Sequence, residues 1–108
     1  MAPRLTAGML VSALIRRAEE LGGNGMVLAK GDATAGAILI QLAERGVPGA
    51  LLERRLDQEG AYLWSPTGPD DVEQRGDYIA RRRRSDPDLW VLELDVADAM
   101  TLVEDIAG

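Results

Sequence analysis

Apolar side chains first recur at helical spacing. Val11, Leu14, Ile15, Ala18 and Leu21 fall on one stripe, with Arg16, Arg17, Glu19 and Glu20 largely off it, which predicts a helix from Ala7 to Leu21. Thr6 stands where an N-cap accepts an orphan amide of the first turn. Leu5 and Leu10 occupy the two positions of a hydrophobic staple. Gly22-Gly23-Asn24 supplies residues that tolerate positive φ and stop the helix.

The pattern then changes to short apolar runs between turn residues. Met26–Ala29 reads as a strand, Gly31–Gly36 as a turn-rich connection, and Ala37–Leu42 as a second strand. The unbroken apolar run of that second strand fits a central position covered on both faces. Gly46-Val-Pro-Gly49 is turn chemistry, and Ala50–Leu56 is too short for a helix between two turn signals, so it reads as a third strand. Asp57–Gly60 closes a hairpin into a fourth strand, Ala61–Ser65, which carries Tyr62 and Trp64 on one face. Connections this short predict a four-strand antiparallel meander.

Ser65-Pro-Thr-Gly-Pro69 interrupts the strands. Asp70 and Glu73 then have capping-box spacing for a second helix that runs to about Arg84 and ends before Pro87. Its apolar face, Val72 and Ile79, is thin, which places it against a sheet edge or a partner. Leu89–Asp95 is the fifth strand, with Trp90, Leu92 and Leu94 on one face and Leu89, Val91, Glu93 and Asp95 on the other. Residues 96–108 form either a C-terminal helix, from the spacing of Leu102, Val103 and Ile106, or a loosely packed arm. The fold class is α+β: a single domain over residues 1–108, with an antiparallel sheet of about five strands in the order α-β-β-β-β-α-β and the first helix across one face.

Composition narrows the chemistry. The 108 residues contain no cysteine and no histidine, which excludes disulfides, thiolate zinc sites, a cysteine nucleophile and the usual neutral-pH general base. The net charge of −6 opposes binding to a phosphate backbone unless one face segregates the positive charge. No stretch approaches about eighteen consecutive apolar residues, and no long apolar run follows Met1-Ala-Pro-Arg4. The expected compartment is therefore the cytoplasm.

Arg81–Arg84 is the most conspicuous charge run. Successive helical residues lie about 100° apart, so the four arginines cannot share a face. From Asp70 to Asp88, five Arg stand against five Asp and one Glu, a sum of −1, and Asp71–Arg75 and Asp77–Arg81 have the spacing of helical ion pairs. Asp86, Asp88, Glu93 and Asp95 supply oxygen ligands of the kind magnesium takes, but no calcium-loop signature is present. Pairing of one of these carboxylates with an arginine of the preceding helix is the competing expectation. Gly31-Asp-Ala-Thr-Ala-Gly36 lacks the Gly-Lys-Ser/Thr ending of a nucleotide loop, and Asp32 suits hydrogen bonding to its own turn.

Taken in order, Gly31-Asp-x-x-Ala-Gly36, Trp64, Asp77-Tyr-Ile-Ala-Arg81 and Asp86-Pro-Asp-Leu-Trp-Val91 with Glu93 resemble a small alphaproteobacterial family known only as a domain of unknown function, number fourteen ninety-one. The resemblance runs from Arg4-Leu5 to about Asp95, with the tail departing from it. It implies a stand-alone cytoplasmic α+β domain and carries over no catalytic or ligand residue. The resulting expectation is a binding or interaction domain without catalysis or cofactor of its own. Its candidate site is a corner where Arg81, Asp86, Asp88, Trp90 and Glu93 meet, with Asp32 beside them, and its partner is a protein or a small anionic ligand. The alternative is a metal-dependent enzyme acting on a phosphorylated small molecule through Asp86, Asp88 and Glu93. Nucleic-acid binding through Arg81–Arg84 is disfavoured, and self-association is left open.

Overall fold

Thr6 leaves the chain extended, and its hydroxyl accepts the amide of Met9 at 3.2 Å, which opens helix α1 (Ala7–Glu20) as its spacing predicts. The computed structural model describes residues 5–56 and 58–107; Asp57, in the hairpin closure expected at Asp57–Gly60, lies outside the described residues. Strands β1 (Asn24–Ala29), β2 (Ile38–Glu44), β3 (Val47–Leu56) and β4 (Tyr62–Pro66) follow, then α2 (Val72–Ser85), β5 (Trp90–Asp95) and α3 (Ala99–Ala107). No helix among the described residues is long and apolar enough to cross a membrane.

The five strands form one sheet in the order β1-β5-β2-β3-β4. The chain is therefore the single α+β domain expected, but its sheet is mixed and the four-strand meander does not form. β5 inserts between β1 and β2, antiparallel to β1 and parallel to β2. The connection 30–37 joins β1 to β2 across the intervening strand. That gap is about 10 Å, two strand spacings, which eight residues span with ease. The parallel pairing is made possible by α2, which supplies the crossover between β4 and β5.

The β2–β3 hairpin also tightens relative to expectation. Arg45 and Gly46 have φ of 53° and 79°, and Glu44 pairs with Val47. Positive φ at both central residues is the signature of a two-residue turn whose twist matches its strands. Pro48 and Gly49 belong to β3, beside an irregularity in register.

Each face of the sheet has its own core. On one, Ile38, Ile40, Leu52, Trp64, Trp90, Leu92 and Leu94 meet Leu10, Val11 and Leu14 of α1 and Leu102 and Val103 of α3. The tail is thus a helix packed on the core through Ala99, Leu102, Val103 and Ile106. On the other face, Ala29, Leu39, Leu51, Leu89 and Val91 meet Tyr78 and Ile79 of α2. This helix lies across the sheet and not at its edge. Its N-cap is Asp71, whose carboxylate accepts the Glu73 amide at 2.9 Å, one residue later than the capping box predicts.

Candidate functional site

The residues expected to share a corner are divided by the sheet. Trp90 packs into the core beneath α1, while Arg81 sits on α2 across the opposite face, so the corner between them does not form. Trp90 does meet one of the others, Asp32, which in turn meets Asp88. Its indole N–H donates to the Asp32 carbonyl at 2.7 Å, and the Asp32 amide donates to the Asp88 carbonyl at 3.0 Å. The Asp32 carboxylate accepts the amides of Thr34 and Ala35 at 3.0 and 2.9 Å, the local turn expected of it. Asp86 closes α2 and accepts the Asp88 amide at 3.1 Å. Glu93 lies apart from these, half-buried on the α2 face, in register with Met26 and Gln41.

This arrangement makes the connection 30–37 a backbone joint over the start of β5. A Cβ at Gly31 or at Gly36 would overlap the same atom, the carbonyl oxygen of Asp88. The glycine pair is thus required by close approach and not by a ligand phosphate.

Polar residues absent from the expected site carry most of the side-chain bonding. Arg82 grips Glu53 of β3 through both terminal guanidinium nitrogens, Nη1 to Oε1 at 3.0 Å and Nη2 to Oε2 at 2.6 Å. Arg82 also donates to the Tyr78 hydroxyl, which bonds Thr67 at 2.9 Å. The Arg82 hydrogen bond holds the Glu53 carboxyl below its usual range, opposed by partial burial, and Glu53 in turn raises Arg82. Arg75, only 9% exposed, donates to the carbonyls of Pro69, Gly49 and Asp70 and to Gln41 Oε1. Asp95 accepts the amides of Arg45 and Gly46, both at 2.8 Å, and so pins the β2–β3 turn.

The expected helical pairs Asp71–Arg75 and Asp77–Arg81 are not made among the described residues, and none of Asp86, Asp88, Glu93 and Asp95 pairs with an arginine of α2. Period rather than residue type was the available signal: Arg75, Tyr78, Ile79 and Arg82 recur at helical spacing and form the inward face of α2. Arg81 and Arg84 point away and line a shallow groove with Pro69, Gln74, Asp77 and Ala80. Among the described residues no group of three acidic side chains stands where it could hold one metal ion, so Asp86, Asp88 and Glu93 do not converge on a cation.

The sequence matches the family described as protein of unknown function, DUF1491, over residues 5–104. The chain belongs to the DUF1491 family. The match continues through most of α3, so the tail does not depart from the family as the sequence reading held. The crystal structure of a DUF1491 family protein from Caulobacter crescentus CB15 is 34% identical, with a TM-score of 0.80 over 92% of this chain and 94% of that one. The solution structure of protein Atu0922 from A. tumefaciens is 32% identical, with a TM-score of 0.74 over 93% and 92% of the two chains. No protein of curated function matches the sequence.

Proposed function

We propose that this DUF1491 chain is a small cytoplasmic interaction domain without catalysis of its own, which meets a protein partner along the outer edge of β1. The reading is carried by Met26, Val27 and Leu28, which are 54%, 39% and 48% exposed on an end strand of the sheet. An end strand offers unpaired backbone donors and acceptors, and soluble proteins ordinarily blunt such strands with charge, proline or brevity. β4, the other end strand, spans five residues and ends in Pro66, whereas β1 carries no charged residue from Asn24 to Ala29. Its one blunting feature is a register irregularity between Val27 and Ala29.

The ionisable groups support the same reading. Asp32, Asp95, Glu53, Arg75 and Arg82 are each engaged in holding backbone or partner elements in position. The test is photo-crosslinking in cells from a photoreactive residue placed at Leu28, with Val47, more exposed at the start of β3, as the control position. A discrete adduct from position 28 and none from position 47 is expected. Equal labelling at both, or none at either, overturns the reading.

A further inference from the structure

We infer that the partner presents an extended segment which adds to β1 as a sixth strand and places a lysine or arginine over Met26 to meet Glu93; this rests on the interaction reading above. Glu93 is half-buried beside Met26 on the α2 face of the sheet, and its carboxylate makes no hydrogen bond or ion pair among the described residues. Two other half-buried carboxylates on that face are engaged, Glu53 by an arginine and Asp95 by the amides of Arg45 and Gly46. α2 leaves this margin of the sheet open. Tyr78 turns the helix toward Thr67 at the end of β4, so the row Val72, Gly76, Ile79 and Arg83 faces the β5–β1 side. Val72 there is exposed, and a Cβ at Gly76 would meet nothing within 4 Å.

The floor is thus apolar at Met26, charged at Glu93, and bounded by a helix flank that is aliphatic at Val72 and Ile79 and ends in Arg83, which is exposed. A residue on a strand added outside β1 stands about 10 Å from Glu93, two strand spacings. A lysine or arginine side chain covers that span by laying its methylene stem along the Met26 side chain, which keeps its charge at the carboxylate. Uncharged apolar neighbours in the added strand would match Val27 and Leu28, and its backbone would pair with the open edge.

The test titrates isotope-labelled full-length protein with two blocked nine-residue peptides, one alternating valine with lysine and the other valine with glutamate. The valine–lysine peptide is expected to shift and protect the amides of β1 and to bind about tenfold more tightly than the valine–glutamate peptide. Glu93→Gln, with an otherwise unchanged spectrum, should remove that preference. Equal binding of the two peptides, shifts spread over the acidic surface without protection of β1, or no binding overturns the inference. Protection of β1 that rises with protein concentration alone would assign the edge to a second copy, which refutes the peptide partner and keeps the interaction reading. Free exchange at β1 under every condition removes both.

Discussion

Glu53 and Arg82 join α2 to β3 through a two-point contact that neither residue's neighbours in sequence announce. Because the pair is partly shielded and fully bonded, removing the cation leaves a carboxylate with lost hydrogen bonds. Arg82→Gln is expected to lower stability by about 1–3 kcal/mol at pH 7, measured by urea unfolding. The pH dependence follows from the direction of the shift. Glu53 titrates lower in the folded chain than its ordinary value of 4.5, so its contribution is fully present above that value and fades as pH falls through the folded one. Arg82 is raised above its ordinary value by Glu53 and stays charged throughout, so it adds no dependence in this range. The gap between wild type and Arg82→Gln should therefore narrow below about pH 4.5. A gap that stays constant into strong acid would mean that the contact acts through packing and not through charge.

At the scale of elements, the joint between the connection 30–37 and the entry of β5 explains why Gly31, Gly36, Asp88 and Trp90 belong together. Gly31→Ala and Gly36→Ala each force a methyl group into the Asp88 carbonyl, a backbone atom that cannot swing aside, and each should cost about 1–3 kcal/mol. Thermal melting of the two variants checks this, and a midpoint near wild type for either would show that the connection can lift off β5. The elements themselves were legible: the Thr6 cap, the α1 stripe, the alternation of β5 and the proline stop of α2 are local signals with local causes. The joint was not, because the indole of Trp90 and the carbonyl of Asp32 are 58 residues apart in sequence. Arg75 was hidden for a different reason. An arginine in a helix reads as solvent-facing, and only the sheet beneath, with the Gly49 carbonyl and Gln41 in reach, makes it an inward residue. The same limit applied to the expected site, since alternation placed Trp90 and Glu93 on opposite faces but could not say which face α2 would cover.

For the whole molecule, the decisive fact is that the sheet's interior is completed by a strand made late in the chain. Among the described residues β1 has no strand neighbour except β5, and β2 has β5 on one side. Both cores draw on it as well, Trp90, Leu92 and Leu94 on the face of α1 and α3, and Val91 with the preceding Leu89 on the face of α2. These five side chains, at about 1.5–3 kcal/mol each, represent a burial comparable to the entire net stability of a small domain, about 5–15 kcal/mol. A fragment of residues 1–85 is therefore expected to show no cooperative unfolding transition, although it retains α1, α2 and β1 to β4. A fragment of residues 1–97 keeps β5 and loses α3, including buried Leu102 and Val103; it should unfold cooperatively with a lowered midpoint. Far-ultraviolet circular dichroism on heating separates the two outcomes. Cooperative melting of the 1–85 fragment would mean that β1 finds another strand neighbour, and the edge on which the proposed interaction depends would no longer be set by β5.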